Sequence, residues 1–169
     1  ILSYDFRNPL YDATTSSFDK SESKTITNNL TLRWDIWKGF YLTGAFSYSL
    51  SDSQSDKFVS PDHSSFETET DPSKRGSYYI SNMRGKSWQT RVGLTYSKTL
   101  SDNGSILTLN VGANANRSNS NNNSFSGIGF LKGNLTDMAF ANSYPANGHP
   151  SGSESLSSSV GVYGNLNII

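Results

Sequence analysis

Two pairs of polar residues are spaced so that both side chains of each pair would lie on the same face of a β-strand. Arg33 and Asp35 lie two positions apart, and Asn110 and Asn114 lie four positions apart further along the chain. Alternate side chains of a strand point to the same face. Guanidinium, carboxylate and amide groups held side by side can bind a polar solute through hydrogen bonds. We predict these four residues as solute-binding candidates, with a cross-strand charge network as the alternative role for Arg33 and Asp35.

Three aromatic side chains form a second set of candidates. Tyr78 and Tyr79 lie near the end of a long polar segment, and Trp88 lies just after it. Flat aromatic faces stack on sugar rings, so these side chains would suit a carbohydrate ligand. Tyr and Trp are also enriched where proteins cross a membrane–water interface. The alternative role is therefore that of interface anchors.

The residues that catalysis or metal binding would need are missing or badly spaced. The chain has no cysteine, which excludes disulfides, thiolate metal sites and cysteine nucleophiles. His63 and His149 lie in separate polar segments, and neither has a partner at metal-ligand spacing. The acidic residues between 52 and 71 lack EF-hand spacing, and no nucleophile–base or carboxylate pair stands out. We expect no enzymatic activity, no metal and no cofactor.

The composition indicates a folded chain without a large aliphatic core. Of its 169 residues, 34% are hydrophobic and 17% are charged, while aromatic residues reach 12%, too many for a disordered tail. The net charge is zero, from 14 basic and 14 acidic residues, and no basic stripe is present for nucleic acid. Nucleic acid is therefore not an expected partner.

Apolar and polar residues alternate with a period of two, which predicts β-strands and no long amphipathic helix. The pattern predicts five strands, at about residues 24–37, 40–51, 86–100, 105–116 and 158–169. Tight turns, at Lys38-Gly39 and Ser101–Gly104, alternate with long polar segments, at about 1–23, 52–85 and 117–157. In an antiparallel meander this puts the tight turns at one end and the long loops at the other, as in outer-membrane barrels.

The strand dimensions also fit a membrane barrel. Ile26 to Ile36 would span roughly 33 Å at about 3.3 Å per residue, and a tilt of about 40° reduces the rise to about 25 Å, the height of a barrel's apolar band. Aromatic residues cluster near the turn end and near the loop end, as in interfacial girdles. At the turn end they are Trp34, Trp37, Phe40, Tyr41 and Tyr96. At the loop end they are Tyr48, Tyr78, Tyr79 and Trp88.

Alternation by itself does not distinguish lipid from a second packed sheet. The fold class predicted is all-β, an antiparallel meander of about five long strands that forms a segment of a larger transmembrane β-barrel. Five strands do not close a barrel, since the smallest bacterial form has about eight. We therefore expect this chain to be one segment of a longer barrel. The alternative is a soluble β-sandwich, such as a carbohydrate-binding or adhesin module.

Several short motifs, in order along the chain, resemble the SusC-like (SusC/RagA) branch of TonB-dependent outer-membrane transporters. They are Asn8-Pro9-Leu10-Tyr11, Thr27-Asn28-Asn29, Lys38-Gly39-Phe40-Tyr41-Leu42-Thr43-Gly44, Arg75-Gly76-Ser77-Tyr78, Leu94-Thr95-Tyr96-Ser97-Lys98-Thr99-Leu100, Tyr144-Pro145, Gly148-His149-Pro150-Ser151-Gly152 and Gly164-Asn165-Leu166-Asn167-Ile168. Their order and spacing extend over nearly the whole chain.

The resemblance implies a barrel of about 22 strands closed by a plug, in the outer membrane of a Gram-negative bacterium. Such a transporter works with a SusD-like surface lipoprotein and imports oligosaccharides, or in some members peptides, with energy relayed by TonB. This chain resembles only part of the barrel wall. The plug, the TonB-contacting segment and most strands would lie outside it, and its expected neighbours are the rest of the barrel and outer-membrane lipid.

Overall fold

The computed structural model describes residues 10–100 and 104–169 as a single antiparallel sheet. Its strands are consecutive neighbours in the order β1-β2-β3-β4-β5, with bounds Phe18–Trp37, Phe40–Val59, Ser77–Thr99, Ile106–Ile128 and Ser151–Ile168. Short 3-10 turns occur at Asp12–Thr14, Ser64–Phe66, Pro72–Lys74 and Met138–Phe140. The predicted all-β meander of five strands is confirmed, and it is consistent with a segment of a larger barrel. The start of the Asn8-Pro9 motif and most of the Ser101–Gly104 turn lie outside the described residues.

The first hairpin turns at Lys38-Gly39, and the glycine is required there. Gly39 has φ 78°, a left-handed conformation that glycine adopts at little cost. Its carbonyl accepts a 2.6 Å hydrogen bond from the Ser97 N–H, and a Cβ on Gly39 would lie 2.1 Å from the Ser97 carbonyl oxygen. The turn therefore fixes both the β1–β2 register and the approach of β3.

All five strands extend beyond their predicted ends on the side of the long loops. β1 begins at Phe18, β2 continues to Val59, β3 begins at Ser77, β4 continues to Ile128 and β5 begins at Ser151. The added residues are mostly Ser, Asn, Asp and Lys, so they lack the apolar alternation from which strands are predicted. Backbone pairing holds them, together with hydroxyl contacts such as Ser23–Ser53 at 2.8 Å and Ser124–Ser151 at 2.7 Å. The connecting loops shorten accordingly to 60–76 and 129–150.

The chain divides into two compact units, of which the first contains a small aromatic core. Unit 1 comprises the described residues up to Lys24, with Asp52–Met83 and Asn122–Ser153. Phe58 and Phe130 are each only 1% exposed, and their ring centroids lie 5.1 Å apart in an edge-on arrangement. Phe18 and Tyr78 complete the cluster, with centroids 5.8 and 6.2 Å from that of Phe58. These four rings hold the loops of unit 1 against its strands.

Unit 2 has no comparable core, and large apolar side chains stay exposed on one face of its strands. It comprises Thr25–Ser51, Arg84–Asn121 and Glu154–Ile169. Leu32 is 59% exposed and Val162 is 84% exposed. We call this surface the apolar face. Others exposed on it are Ile26, Leu30, Trp34, Phe46, Leu50, Trp88, Val92, Leu94, Leu109, Val111, Leu156, Val160, Leu166 and Ile168. No helix of the described residues is long and apolar enough to cross a membrane.

We predict that Phe130→Ala loosens the loops of unit 1. Removing a buried Phe side chain leaves a cavity and lowers the free energy of unfolding by about 3–5 kcal/mol. Limited proteolysis within 60–76 should therefore become faster, because cleavage follows the population of the opened state. Phe140→Ala is the matched control, since this ring is already 49% exposed. Equal cleavage rates for the two variants would contradict the assignment of the core.

Candidate functional site

One face of unit 2 consists almost entirely of small and hydrogen-bonding side chains. Cross-strand contacts establish which residues share it. The Thr43 hydroxyl donates to the Gly93 carbonyl at 3.3 Å, the Thr95 hydroxyl to Asn110 Oδ1 at 2.7 Å, and Asn110 Nδ2 to Asn165 Oδ1 at 2.8 Å. We call this surface the polar face. It includes Thr27, Asn29, Thr31, Arg33, Asp35, Tyr41, Thr43, Ala45, Ser47, Ser49, Gln89, Arg91, Gly93, Thr95, Ser97, Thr108, Asn110, Gly112, Asn114, Asn116, Ser159, Gly161, Tyr163 and Asn165.

Arg33 and Asp35 form an ion pair within β1. The Arg33 guanidinium reaches Asp35 Oδ1 from Nη2 at 3.0 Å and from Nε at 3.2 Å. Arg33 Cζ also lies 4.2 Å from the ring centroid of Tyr41 on β2, a cation–π contact. Both charged side chains are more than 60% exposed, so they remain open to a solute while paired with each other.

Asn110 and Asn114 also lie on the polar face, in different surroundings. Asn110 is the middle member of a hydrogen-bonded row that joins Thr95 on β3 to Asn165 on β5. Asn114 lies against Gly161 of β5, where a Cβ would approach Asn114 Oδ1 to 2.9 Å. The amide of Asn110 is thus hydrogen-bonded to other side chains. The amide of Asn114 occupies the space that Gly161 leaves by having no side chain. Their roles as solute ligands stay predictions.

The three aromatic candidates do not lie on one surface. Tyr78 packs in the aromatic core of unit 1, where burial, and next the carboxylate of Asp56, raise the pKa of its phenol. Tyr79 is the next residue of β3, so it points to the opposite face, where it is 41% exposed. Trp88 belongs to unit 2 and shares the parity of Val92 and Leu94, which places it on the apolar face. Stacking on a sugar stays an untested prediction for all three.

Tyr163 is a further member of the polar face that the sequence patterns did not single out. Its ring covers two glycines on neighbouring strands. A Cβ on Gly112 would lie 2.4 Å from Tyr163 Cζ, and a Cβ on Gly93 would lie 3.2 Å from the Tyr163 hydroxyl. A glycine inside a strand often marks a close approach by another group. That rule is the one signal in the sequence that could have pointed to this contact.

Two arginines border a groove on the polar face of unit 2. Thr31, Thr43 and Ala45 form its floor, Arg33 of β1 lies on one side and Arg91 of β3 on the other. The depression continues past Ala45 along Asn29, Ser47 and Gln89. We call this depression the arginine groove. The guanidinium groups of Arg33 and Arg91 are the charged side chains that line the groove, and its other lining residues are uncharged.

The loops of unit 1 are held by hydrogen bonds to aspartate side chains, both between distant segments and within turns. Asp12 accepts from the Ser64 N–H at 2.8 Å and from the Ser64 hydroxyl, and His63 Nε2 lies 3.7 Å from its carboxylate. Asp71 accepts from the Ser73 hydroxyl at 2.7 Å and the Ser73 N–H at 3.0 Å. These bonds lower the pKa of the Asp71 carboxyl. Among the described residues, no group of three His, Cys, Asp or Glu could hold a metal ion.

Solved transporter structures share this fold. No family model matches the chain, and no curated protein matches it in sequence. One similar structure is that of the RagAB peptide transporter, with a TM-score of 0.74 and 15% sequence identity. Two others show the RagAB peptide importer. Its closed-closed state has a TM-score of 0.74 and 15% identity, and its open-open state has a TM-score of 0.75 and 14% identity. Each match covers 90% of this chain and 16% of the other. The chain therefore has the fold of a small part of these transporter chains.

We predict that Gly112→Ala destabilises unit 2 because its Cβ has no room. The added carbon would lie 2.4 Å from Tyr163 Cζ and 2.7 Å from the Val92 carbonyl oxygen. Overpacking of this kind lowers the free energy of unfolding by about 1–3 kcal/mol, measurable by urea titration. Gly44→Ala is the control, since its Cβ would meet Leu32 Cβ at an ordinary 3.8 Å.

Tyr163→Ala should restore part of the stability lost in Gly112→Ala, because it removes one of the two clashing groups. The same loss in Gly112→Ala and Gly44→Ala would show that the Tyr163 ring does not rest on the glycines.

Proposed function

We propose that this chain is barrel wall, with adjoining surface loops, of a SusC-like TonB-dependent transporter in the outer membrane of a Gram-negative bacterium. The transporter imports oligosaccharide or peptide together with a SusD-like surface lipoprotein. The other strands, the plug and the TonB-contacting segment belong to parts of the transporter other than this chain. As a wall, the chain catalyses no reaction and needs no cofactor.

The observation that carries the proposal is the division of unit 2 into two faces of opposite character. One face exposes large apolar side chains on all five strands, as at Leu32 and Val162, which are 59% and 84% exposed. A contiguous apolar surface of this extent is rare on soluble monomers and calls for a covering phase or partner. Lipid covers such a face in a membrane barrel, whose strands alternate apolar-out and polar-in.

The polar face has the chemistry of a wet lumen. Its amides and hydroxyls bond to one another across strands, as in the row Thr95–Asn110–Asn165, so few polar groups are left without a partner when water is displaced. The Arg33–Asp35 pair is exposed and would stay hydrated in an aqueous channel. A solute crossing such a lumen meets hydrogen-bonding groups along its length, and Arg33, Asp35, Asn110 and Asn114 are the candidates to contact it.

The likeness to the RagAB peptide transporter supports the same proposal. It matches the fold over 90% of this chain, and the structures concerned are described as a peptide transporter and importer. Peptide is therefore one of the two solute classes proposed, with oligosaccharide the other. The competing function, a soluble β-sandwich module, needs a second sheet on the apolar face and makes the opposite prediction for that face.

We predict that Val160→Arg destabilises the transporter far more than Ser159→Arg. Val160 is 81% exposed on the apolar face, so its replacement places a guanidinium in hydrocarbon at a cost of about 2–4 kcal/mol. Ser159 is the adjacent residue on the polar face, where water still solvates the charge. The measurement is the free energy of unfolding of the membrane-inserted transporter.

Cysteine accessibility separates lipid from a second sheet, because the chain has no cysteine of its own. Cysteines at 32 and 160 should react with lipid-soluble maleimides and resist membrane-impermeant ones. Cysteines at 27 and 159 should react with the impermeant reagents. A β-sandwich would shield positions 32 and 160 from both reagents until it unfolds, and that outcome would refute the barrel.

A further inference from the structure

The arginine groove combines two guanidinium groups with a floor of small side chains. Arg33 and Arg91 flank Thr31, Thr43 and Ala45. The three floor residues belong to β1 and β2, whereas Arg91 comes from β3, so the groove exists only in the assembled sheet. Small residues in the floor leave space for a ligand to lie between the two arginines.

The groove has an uncompensated positive charge. Arg33 is paired with Asp35 at 3.0 Å, while none of the ion pairs formed by the described residues includes Arg91. Two guanidinium groups against one carboxylate leave a net charge of +1. The remaining side chains around it on the polar face are neutral, namely Asn29, Thr31, Thr43, Ala45, Ser47 and Gln89.

We propose that the arginine groove is a subsite for the carboxylate of an anionic solute, with a peptide as the solute class. The inference rests on the proposed transport function, and it selects peptide over neutral oligosaccharide. Arg91 binds the carboxylate, and the amides and hydroxyls of Asn29, Ser47 and Gln89 bind the neighbouring peptide groups. Arg33, whose charge is balanced by Asp35, borders the other side of the site and is kept in place by its contacts with Asp35 and Tyr41.

The chemistry of the groove favours a carboxylate over a sugar hydroxyl. A guanidinium presents parallel N–H donors that match the two oxygens of a carboxylate, and such charge-assisted bonds are about twice as strong as neutral ones. A neutral oligosaccharide would leave the positive charge uncompensated. Asn29 and Gln89 each offer a donor and an acceptor, the pair of groups that a peptide unit requires.

The first test measures the local potential with a cysteine in the groove floor. Ala45→Cys is introduced into the full transporter, with any cysteines outside this chain replaced by serine. Its rates of reaction with the anionic reagent sulfonatoethyl methanethiosulfonate and the cationic trimethylammonium analogue are compared. One guanidinium within a Debye length of the thiolate, screened by water and salt, should change the anion-to-cation rate ratio by about threefold. Arg91→Gln should lower the ratio by that factor.

Two controls belong to this test. Asn167→Cys on β5 shares the polar face but lies two strand spacings from β3, roughly 10 Å at about 4.8 Å each. The row Thr95–Asn110–Asn165 places it about six residues further along the strands than Arg91, roughly 20 Å at about 3.3 Å per residue, so Arg91→Gln should not change its ratio. Arg117→Gln removes the same charge from the opposite face of β4 and should not change the ratio at position 45. An unchanged ratio in Arg91→Gln, or a cysteine at position 45 that neither reagent reaches, would overturn the groove as a solute site.

The second test uses a defined ligand pair with the intact transporter. An N-acetylated Gly-Ser hexapeptide is titrated calorimetrically as its free acid and as its C-terminal amide. The wild type should bind the acid about tenfold more tightly, the usual weight of a hydrogen bond to a charged group. Arg91→Gln should abolish this preference, Arg91→Lys should keep part of it, and Arg117→Gln should leave it intact.

The outcomes separate the subsite from the transport function. Equal binding of the acid and the amide by the wild type, binding of neither, or weaker binding of both in Arg91→Gln would overturn the subsite. Lipid-soluble labelling at positions 32 and 160 would still support the barrel in each of these cases. A lower free energy of unfolding in Arg91→Gln without any change in the acid-to-amide preference would assign Arg91 to structure, which also overturns the proposal.

Discussion

The antiparallel pairing of successive strands is the interaction on which every surface of this chain depends. The Lys38-Gly39 turn sets the first register, and the Ser97 N–H bond to the Gly39 carbonyl carries it to β3. Because side chains alternate along a strand, a slip by one residue would exchange the two faces. The register therefore decides which residues form the apolar face of unit 2 and which form its polar face.

Aromatic side chains pack on the sheet in both units, in unit 2 over glycines and in unit 1 against each other. Gly93 and Gly112 lie side by side on the polar face of unit 2, and Tyr163 covers them both. In unit 1, Phe58 and Phe130 provide the only fully buried apolar side chains among the described residues. Unit 1 is thus stabilised by a local core, whereas unit 2 depends on its hydrogen bonds and on whatever covers its apolar face.

The two arginines of the polar face differ in their surroundings. Arg33 has Asp35 beside it and Tyr41 beneath it, so its charge is balanced and its position is restrained. Arg91 has the same chemistry without such an ion pair among the described residues. The contrast between the two arginines, rather than their number, gives the groove its net charge.

The sequence by itself determined the fold class and the character of each face in the apolar parts of the strands. The alternation from Ile26 to Ile36 is a local signal with a period that only strands produce. The shared face of Arg33 and Asp35 was equally predictable, because residues two apart on a strand lie on the same face. Their ion pair lies within β1, whereas the alternative considered from the sequence was a cross-strand network. Both predictions depended on neighbours along the chain.

The tertiary structure decided what depends on neighbours across strands. The loop-side ends of the strands are mostly polar and lack a regular apolar alternation, so their pairing left no pattern in the sequence, and the loops were predicted too long. Tyr78 lies in an aromatic core because Phe130, from a distant loop, packs near it. Tyr163 covers Gly112, and Arg91 borders a floor supplied by β1 and β2. Each of these contacts joins residues far apart in the chain, and only the register of the folded sheet brings them together.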